Sequence, residues 1–181
     1  MAALSEESRS DDALVAAYRD GDESAATALV LRHAKALGRY LYGVGAPPGA
    51  VEDLVQETFF RAFRALGSWR REASFRSWLF RIGSNLRKDL YRREGGRTVL
   101  SIEDADLADS SDPEGEAGAM DMERRLLEGL GRLPRLQREV FLLRAQQGME
   151  YAEISAALGT TPGAARVHYH HAVKRLKEWM A

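Results

Sequence analysis

The sequence predicts an all-α protein made of two small helical domains joined by a flexible acidic linker. No stretch alternates apolar and polar side chains as a half-buried strand does, and good helix formers such as Ala, Leu, Arg and Glu dominate both halves. The stretch TVLSIEDADLADSSDPEGEAG (98–118) lacks helical periodicity and is rich in small and acidic residues. We therefore expect a first unit at 10–96, a linker at 97–120 and a second unit at 121–181.

Four helices are expected in the first unit. Apolar side chains recur there at the helical spacing. The stretches GVGAPPG (43–49) and GSWRREAS (67–74) break the chain between the second, third and fourth helices. The predicted helices span about 11–20, 22–43, 50–66 and 73–93.

Four further helices are expected in the second unit, at about 121–131, 135–146, 151–158 and 162–179. The last two are spaced as a helix-turn-helix motif. Gly159 suits the tight turn, Thr161 can cap the final helix, and Pro162 fits its first turn. The second helix of such a motif enters the major groove of DNA. A helical hairpin without a role in DNA binding is the alternative.

The final helix has an apolar face and a polar face. The residues predicted to be buried are Ala165, Tyr169, Ala172, Leu176 and Trp179. On the other side, Arg166 can pair with guanine, Val167 can touch a thymine methyl group, and Lys174 suits a phosphate. The candidate DNA-binding residues of this helix are Thr161, Pro162, Gly163, Arg166, Val167, His170, His171 and Lys174.

Three of the four histidines lie in RVHYHHAVKRL (166–176), which raises the question of a metal site. His168 and His171 are one helical turn apart, but zinc takes three or four ligands. His170 points away from His168, the only other histidine, His33, belongs to the first unit, and Glu178 is the only carboxylate close on this helix. The chain has no cysteine. We expect no metal and no cofactor. Without a Ser/His/Asp arrangement or a phosphate-binding glycine loop, we do not expect an enzyme.

The third helix, VEDLVQETFFRAFRAL (51–66), carries two phenylalanines among charged residues on its outward face. Apolar side chains in such a place indicate a surface that binds another protein. The residues assigned to this surface are Asp53, Gln56, Glu57, Phe60, Phe63 and Arg64. The alternative is that Phe60 or Phe63 packs under a neighbouring helix.

The stretch GSWRREASFRSWLFRIGSNLRKDLYRREGGR (67–97) interleaves basic and aromatic residues. Its predicted core stripe is Phe75, Trp78, Leu79, Ile82 and Leu86. Basic and aromatic side chains on the remaining surface can follow a phosphate backbone and stack on unpaired bases. The residues expected on that surface are Trp69, Arg70, Arg76, Phe80, Ser84, Arg87, Lys88 and Tyr91.

The formal charge is strongly segregated along the chain. Residues 61–97 carry +8 and residues 124–181 carry +5, whereas residues 98–123 between them carry −9. Two basic blocks indicate two surfaces that face polyanions, although solvated helix faces account for part of the charge. There is no apolar run of membrane-spanning length and no secretory signal, so no membrane insertion and a cytoplasmic location are expected.

Three segments resemble the extracytoplasmic-function sigma factors of bacterial RNA polymerase, which belong to the sigma-70 family. They are EDLVQETFFRAFRAL, FRSWLFRIGSN and LPRLQREVFLLRAQQGMEYAEISAALGTTPGAARVHYHHAVKRL. The resemblance extends over about 11–179. It implies a helical bundle like sigma region 2 in the first unit and a helix-turn-helix domain like sigma region 4 in the second.

The resemblance also implies partners and roles. The outward face of 51–66 would bind the β′ clamp helices of core RNA polymerase, and the second unit would bind the β flap and read the −35 element of promoter DNA. The first unit would melt the −10 element and hold a flipped base in a loop that includes Asn85. The residues that would support the separated strand are Trp69, Arg70, Arg76, Phe80, Arg87, Lys88 and Arg92. The linker would run toward the polymerase active site, and an anti-sigma factor is the expected inhibitor.

The final helix departs from the usual family pattern. Many members have Gly-Thr-Val, then a basic residue, Ser and Arg, where this chain has GAARVH at 163–168; His170 and His171 replace residues that are more often aromatic or basic. The −35 sequence preference is therefore left open. The leading interpretation is a sigma factor. The alternative is a stand-alone helix-turn-helix regulator that dimerises through Phe60 and Phe63.

Overall fold

A computed structural model describes residues 9–96 and 113–181 of the chain. Within these two ranges it contains eight α-helices and no β-strand, so the all-α prediction is confirmed. The helices are α1 (Asp11–Arg19), α2 (Glu23–Gly43), α3 (Pro48–Ala65), α4 (Phe75–Arg93), α5 (Pro113–Arg132), α6 (Arg135–Phe141), α7 (Tyr151–Leu158) and α8 (Pro162–Met180). A short 3₁₀ turn, Leu66–Ser68, follows α3, and a π-helical segment, Leu142–Gln146, extends α6.

Side-chain caps fix the starts of four helices. The capping residues of α1, α2, α4 and α8 are Ser10, Asp22, Ser74 and Thr161, and each side chain accepts a hydrogen bond from a backbone N–H in the first turn. Such a cap typically contributes about 1 kcal/mol. The predicted cap at Thr161 is confirmed. Pro162 occupies the first position of α8, where its missing N–H has no intrahelical acceptor to lose.

Helix α5 begins earlier than expected. It starts at Pro113, so residues 113–120, which were predicted to be linker, are helical. The local signal is a proline at the first helical position, where its missing N–H has no intrahelical acceptor to lose. The rest of the predicted linker, 97–112, lies outside the described residues.

Helices α1 to α4 pack around the core of the first unit and α5 to α8 around that of the second, and the buried side chains of the two cores form one continuous apolar cluster. The largest fully buried side chains of the first core are Leu14, Leu29, Leu37, Tyr40, Leu41, Leu66, Phe75, Leu79 and Phe80. Those of the second include Leu143, Met149 and Ile154. Helix α8 lies at the centre of the second core, where α5, α6 and α7 all contact it.

The two cores also pack against each other. Helix α4 lies along α7, and the π-helical segment lies against α2. The approach is closest at Gly43, where an added Cβ would lie 2.9 Å from a methyl carbon of Leu142. Gln147 donates a hydrogen bond of 3.3 Å to the backbone carbonyl of Ala36. In the described part of the chain, no helix is long and apolar enough to cross a membrane.

Candidate nucleic-acid and protein-binding surfaces

The polar face of α8 is the most exposed of the candidate surfaces. All eight residues that the sequence assigns to it, from Thr161 to Lys174, are exposed to solvent. Val167 has 52% of its surface exposed, which is unusual for an apolar side chain on a packed helix. The Arg166 guanidinium lies 5.3 Å from the ring centroid of Tyr151, so the aromatic ring of α7 supports it. The geometry presents an arginine, a methyl-bearing side chain and a lysine along one side of the helix.

The opposite face of α8 is held by packing. Ala165, Ala172 and Leu176 are buried, and the Tyr169 ring stacks on Phe141 at 6.0 Å between centroids. Trp179, predicted to be buried, is instead 39% exposed. It lies in the last turn of α8, and there the Arg132 guanidinium covers one face of its ring at 3.5 Å.

The turn before α8 is held by backbone geometry. Gly159 ends α7 in the left-handed conformation, with φ of 67°, which glycine adopts without steric cost. At the start of α7, Glu150 and Glu153 form a reciprocal capping box. The helix-turn-helix spacing expected from the sequence is therefore present.

The outward face of α3 forms a mixed apolar and charged surface. Asp53, Gln56, Phe60 and Arg64 are exposed, and Phe60 has 56% of its surface in water. The Arg64 guanidinium lies 5.5 Å from the centre of the Phe60 ring. Glu57 is half-buried and accepts a hydrogen bond of 2.7 Å from Arg61.

Phe63 differs from Phe60. It is half-buried, with its ring 5.1 Å from that of Tyr18 in α1 and 6.1 Å from that of Phe59. One of the two phenylalanines thus packs under a neighbouring helix, which was the alternative drawn from the sequence. Phe60 is the exposed aromatic residue of this face.

Three residues expected on the nucleic-acid surface of α4 and its preceding loop are buried. Trp69, Phe80 and Arg87 expose 7%, 1% and 4% of their surfaces. Trp69 stacks on Trp78 at 5.8 Å, and Phe80 packs on Tyr40 at 5.3 Å. The prediction of exposure was wrong for these three because α4 is covered on more than one side: by α2 and α3 within its own unit, and by α7 from the other.

Two more predictions for α4 require correction. Ser84, expected to point outward, is buried and donates a hydrogen bond of 3.0 Å to Glu139 of α6. Asn85 lies in the middle of α4 rather than in a loop, although it is exposed. A loop does precede the helix, between Trp69 and Ser74, and it contains the exposed Arg70.

Arg76 is engaged by the other unit. Its Nη2 atom donates to both carboxylate oxygens of Glu153, each at 3.0 Å, and its Nη1 atom donates to the Gln147 carbonyl oxygen at 3.2 Å. Burial by itself raises the pKa of the Glu153 carboxyl, but hydrogen bonds from the Glu150 backbone and from Arg76 outweigh it, so this pKa is lowered. The sequence gives no clue to this partner, because the two residues are far apart along the chain.

Arg87, Lys88 and Arg92 follow one another along the C-terminal half of α4. Lys88 is half-buried and Arg92 is exposed. The buried Arg87 donates from Nη2 to the backbone carbonyl of Gly45. Burial lowers the pKa of the Arg87 guanidinium. The basic end of α4 therefore combines two accessible cations with one buried cation.

The histidines do not form a metal cluster with other ligands. Over 9–96 and 113–181, no three His, Asp or Glu side chains converge as metal ligands would. His170 and His171 are exposed, and their rings are 6.2 Å apart. His33 is buried in the first unit, where its Nε2 atom lies 2.8 Å from Asp11.

Comparisons with known proteins identify the family of this chain. Residues 29–97 match the family described as Sigma-70 region 2, and residues 123–176 match Sigma-70, region 4. The chain belongs to the sigma-70 family. The region 2 match contains α3 and α4, and the region 4 match contains the second half of α5, all of α6 and α7, and α8 as far as Leu176.

Individual sigma factors are similar to this one over most of its length. It is 38% identical over 156 residues to RNA polymerase sigma factor NccH of Alcaligenes xylosoxydans xylosoxydans, covering 83% of this chain and 84% of the relative. It is 37% identical over 158 residues to RNA polymerase sigma factor CnrH of Cupriavidus metallidurans, covering 82% and 83%. It is 32% identical over 174 residues to the ECF RNA polymerase sigma-E factor of Escherichia coli K12, covering 88% of each.

A solved structure of CnrH in complex with the cytosolic domain of CnrY superposes on this sigma factor with a TM-score of 0.74 at 32% identity, covering 94% of this chain and 96% of the other. The sigma factor RpoE in complex with the anti-sigma factor NepR, from Bartonella quintana, shares the fold with a TM-score of 0.69 at 23% identity, covering 83% and 93%. The family and the relatives establish an RNA polymerase sigma factor of the extracytoplasmic-function type, with a role in promoter recognition and transcription initiation.

Proposed function

We propose that this sigma factor binds core RNA polymerase through the exposed face of α3, reads the −35 element with α8, and opens the −10 element with α4 and the loop before it. The observation that carries the proposal is the exposed face of α8, which lies in the region 4 match and directly follows the tight turn at Gly159. An apolar and basic helix face that the described residues leave exposed suits a DNA groove.

The polymerase contact rests on α3. Phe60 with the Arg64 guanidinium over its ring, flanked by Asp53 and Gln56, forms an apolar centre with a charged rim, the usual composition of a protein interface. We assign the β′ clamp helices to this face and the β flap to the region 4 unit. Glu57 and Phe63 contribute from the half-buried edge of the same face.

The −10 contact requires a rearrangement. Arg70, Asn85 and Arg92 are accessible, but Arg76 is held by Glu153 and Arg87 is buried. We therefore assign DNA binding by α4 to a state in which α7 has moved away from it. Melting then follows from differential binding: the separated strand must gain more contacts than the duplex, because unstacking costs a few kcal/mol per step.

The remaining roles follow from the same proposal. The chain supplies recognition and strand separation, and core polymerase supplies all of the chemistry, so the sigma factor is not itself an enzyme. It works in the cytoplasm, where core polymerase and the chromosome are. An anti-sigma factor is the proposed inhibitor, since RpoE, which shares this fold, was solved in complex with the anti-sigma factor NepR, and CnrH was solved in complex with the cytosolic domain of CnrY.

The test is run-off transcription with purified bacterial core polymerase and a genomic library of promoter fragments. We expect transcripts that start at defined sites only when the sigma factor is added, with a shared −35 and −10 element upstream of them. Asn85→Ala should change the base preference at the −10 element and leave polymerase binding intact. Failure to associate with core polymerase, or random start sites, would contradict the proposal.

A further inference from the structure

A cavity of about 510 Å³ lies where the C-terminal half of α4 meets α6. It is formed by residues of both units, since α4 belongs to the region 2 match and α6 to the region 4 match. Among the described residues, its lining contains five cationic side chains and one carboxylate. The lining residues are Val44, Arg87, Lys88, Tyr91, Arg92, Arg135, Arg138 and Glu139.

Two of these cations are buried without a full set of hydrogen-bond acceptors. Arg87 and Arg138 expose 4% and 8% of their surfaces. Arg87 donates to the Gly45 carbonyl, and Arg138 donates from Nη2 to the carbonyls of Gly131 and Leu133 at 2.8 and 3.2 Å. Within the described chain, Nε and Nη1 of Arg87 and Nε of Arg138 have no acceptor. A buried guanidinium with unused donors is costly unless an anion completes its bonding.

Glu139, the one carboxylate that the described residues place in the cavity, is already engaged. Glu139 accepts from Ser84 at 3.0 Å through one oxygen and from Arg135 at 3.1 Å through the other. It cannot balance five cations. Burial lowers the pKa of the Arg138 guanidinium, and the positive charge of Arg87 lowers it further. The two buried guanidiniums thus repel each other across the boundary between the units.

We propose that this cavity binds a small anion that carries two phosphate groups. Guanidiniums bind phosphate oxygens through paired, charge-assisted hydrogen bonds, and this preference for planar, bidentate contact favours phosphate. A phosphate group carries about −1.5 to −2 charges near neutral pH, so two of them balance the excess of four positive charges over Glu139. The cavity falls within the usual size of small-molecule sites, about 300–1,000 Å³.

Anion binding in this cavity would also regulate promoter opening, an inference that rests on the proposed function. The anion contacts α4 and α6 together, so it stabilises the packed form over a form in which the units separate. Lys88 and Arg92 are also proposed −10 contacts. An anion in the cavity therefore opposes promoter opening by holding the units together and by occupying cations that the DNA strand needs.

The test uses the full-length protein and pyrophosphate as the probe, in isothermal titration calorimetry at a constant ionic strength set by sodium chloride. We expect one saturable site per chain. Arg135→Gln and Arg138→Gln should each weaken binding about tenfold or more, as expected for loss of a hydrogen bond to a charged group. Arg125→Gln is the matched control: it removes the same charge from the exposed surface of α5, away from the cavity, and should leave the affinity within about twofold.

Arg135→Gln is the more decisive of the two variants, because the Arg135 side chain is 59% exposed and Glu139, its ion-pair partner, keeps the hydrogen bond from Ser84. Arg138→Gln also removes hydrogen bonds to two backbone carbonyls. Circular dichroism checks that each variant is folded. The proposal is wrong if no saturable binding occurs, if Arg125→Gln weakens binding as much as Arg135→Gln, or if pyrophosphate binds only after deletion of 103–112, which would make the acidic linker the occupant. The titration contains neither polymerase nor DNA, so its failure would leave the proposed function standing.

Discussion

Phe60 is a large apolar side chain that lies in water on α3, with 56% of its surface exposed. Its replacement should cost little stability, about 0.5 kcal/mol or less, because few contacts within the chain are lost. In an interface the same ring is buried, so Phe60→Ala should weaken binding to core polymerase by about 2 kcal/mol, which is typical of an aromatic anchor. A titration of fluorescently labelled sigma factor with core polymerase measures the change.

Leu31→Ala is the control for Phe60→Ala. Leu31 is 77% exposed on α2, so its truncation also removes an exposed apolar side chain but from another surface. We expect it to leave polymerase affinity unchanged. Equal affinities for the Phe60→Ala variant and the unaltered protein would remove α3 from the polymerase interface.

Arg166 is exposed on α8 beside Tyr151, with its guanidinium supported by the aromatic ring. If it pairs with a guanine, Arg166→Ala should cost about 1–3 kcal/mol at one base pair of the −35 element and relax the preference there. Lys174→Ala should instead weaken binding to all sequences alike, because a phosphate contact carries no sequence information. Binding of single-substituted −35 duplexes measures both. An equal loss of affinity for all of these duplexes in Arg166→Ala would identify Arg166 as a phosphate contact.

Helices α4 and α7 are joined by the ion pair between Arg76 and Glu153, a pair from different units. Because the pKa of the Glu153 carboxyl is lower in the folded state than its ordinary 4.5, the stabilisation by this pair is complete above about pH 4.5 and is lost as the pH falls through the folded-state pKa. Glu153→Gln should therefore lower the free energy of unfolding by about 1 kcal/mol at pH 7 and show less further loss on acidification to pH 3.

Glu57→Gln is the matched control for Glu153→Gln. It removes a carboxylate that pairs with Arg61 on the exposed surface of a single helix, so its effect at pH 7 should be about 0.3–0.5 kcal/mol. Urea unfolding curves of the two variants and the unaltered protein at several pH values measure the difference. If the free energy of unfolding changes with pH in the same way in Glu153→Gln and in the unaltered protein, the ion pair does not stabilise the packing of α4 on α7.

Helix positions were predictable because their signals are local. Gly159, Thr161 and Pro162 mark one boundary within four residues of sequence, and the structure has the turn, the cap and the first helical position there. The burial of Phe80 and Arg87 was not predictable in the same way. It depends on which surfaces of α4 are covered by α2 and by the second unit, and a helical wheel of one segment contains no information about either.

The same limit applies to the candidate sites. The polar face of α8 was predictable because only one side of this helix carries apolar residues that can form a core. The partners of Arg76 and Ser84 were not, since Glu153 and Glu139 lie 77 and 55 residues away along the chain. The cationic cavity likewise requires Arg87 and Arg138 to be brought together by the packing of two units.

At the scale of the whole molecule, the described residues form one packed body in which the proposed −10 surface is partly covered by the helix-turn-helix unit. Arg76 and Arg87 are engaged or buried in the boundary, whereas the proposed polymerase-binding and −35 faces are exposed. The order of events follows from this geometry. On the proposed assignment of these surfaces, polymerase binding and −35 recognition begin in the packed form, and −10 opening requires α4 to separate from α7.

A measurement of the distance between the two units during initiation tests most directly whether they separate when the promoter opens. The chain has no cysteine, so donor and acceptor dyes can be placed at Lys35→Cys on α2 and Lys177→Cys on α8, both exposed sites. Energy transfer should be high in the free protein and fall when core polymerase and promoter DNA are added together, in the same sample that produces a run-off transcript. An unchanged transfer efficiency alongside full transcript yield would show that the packed arrangement survives initiation, and would contradict the account.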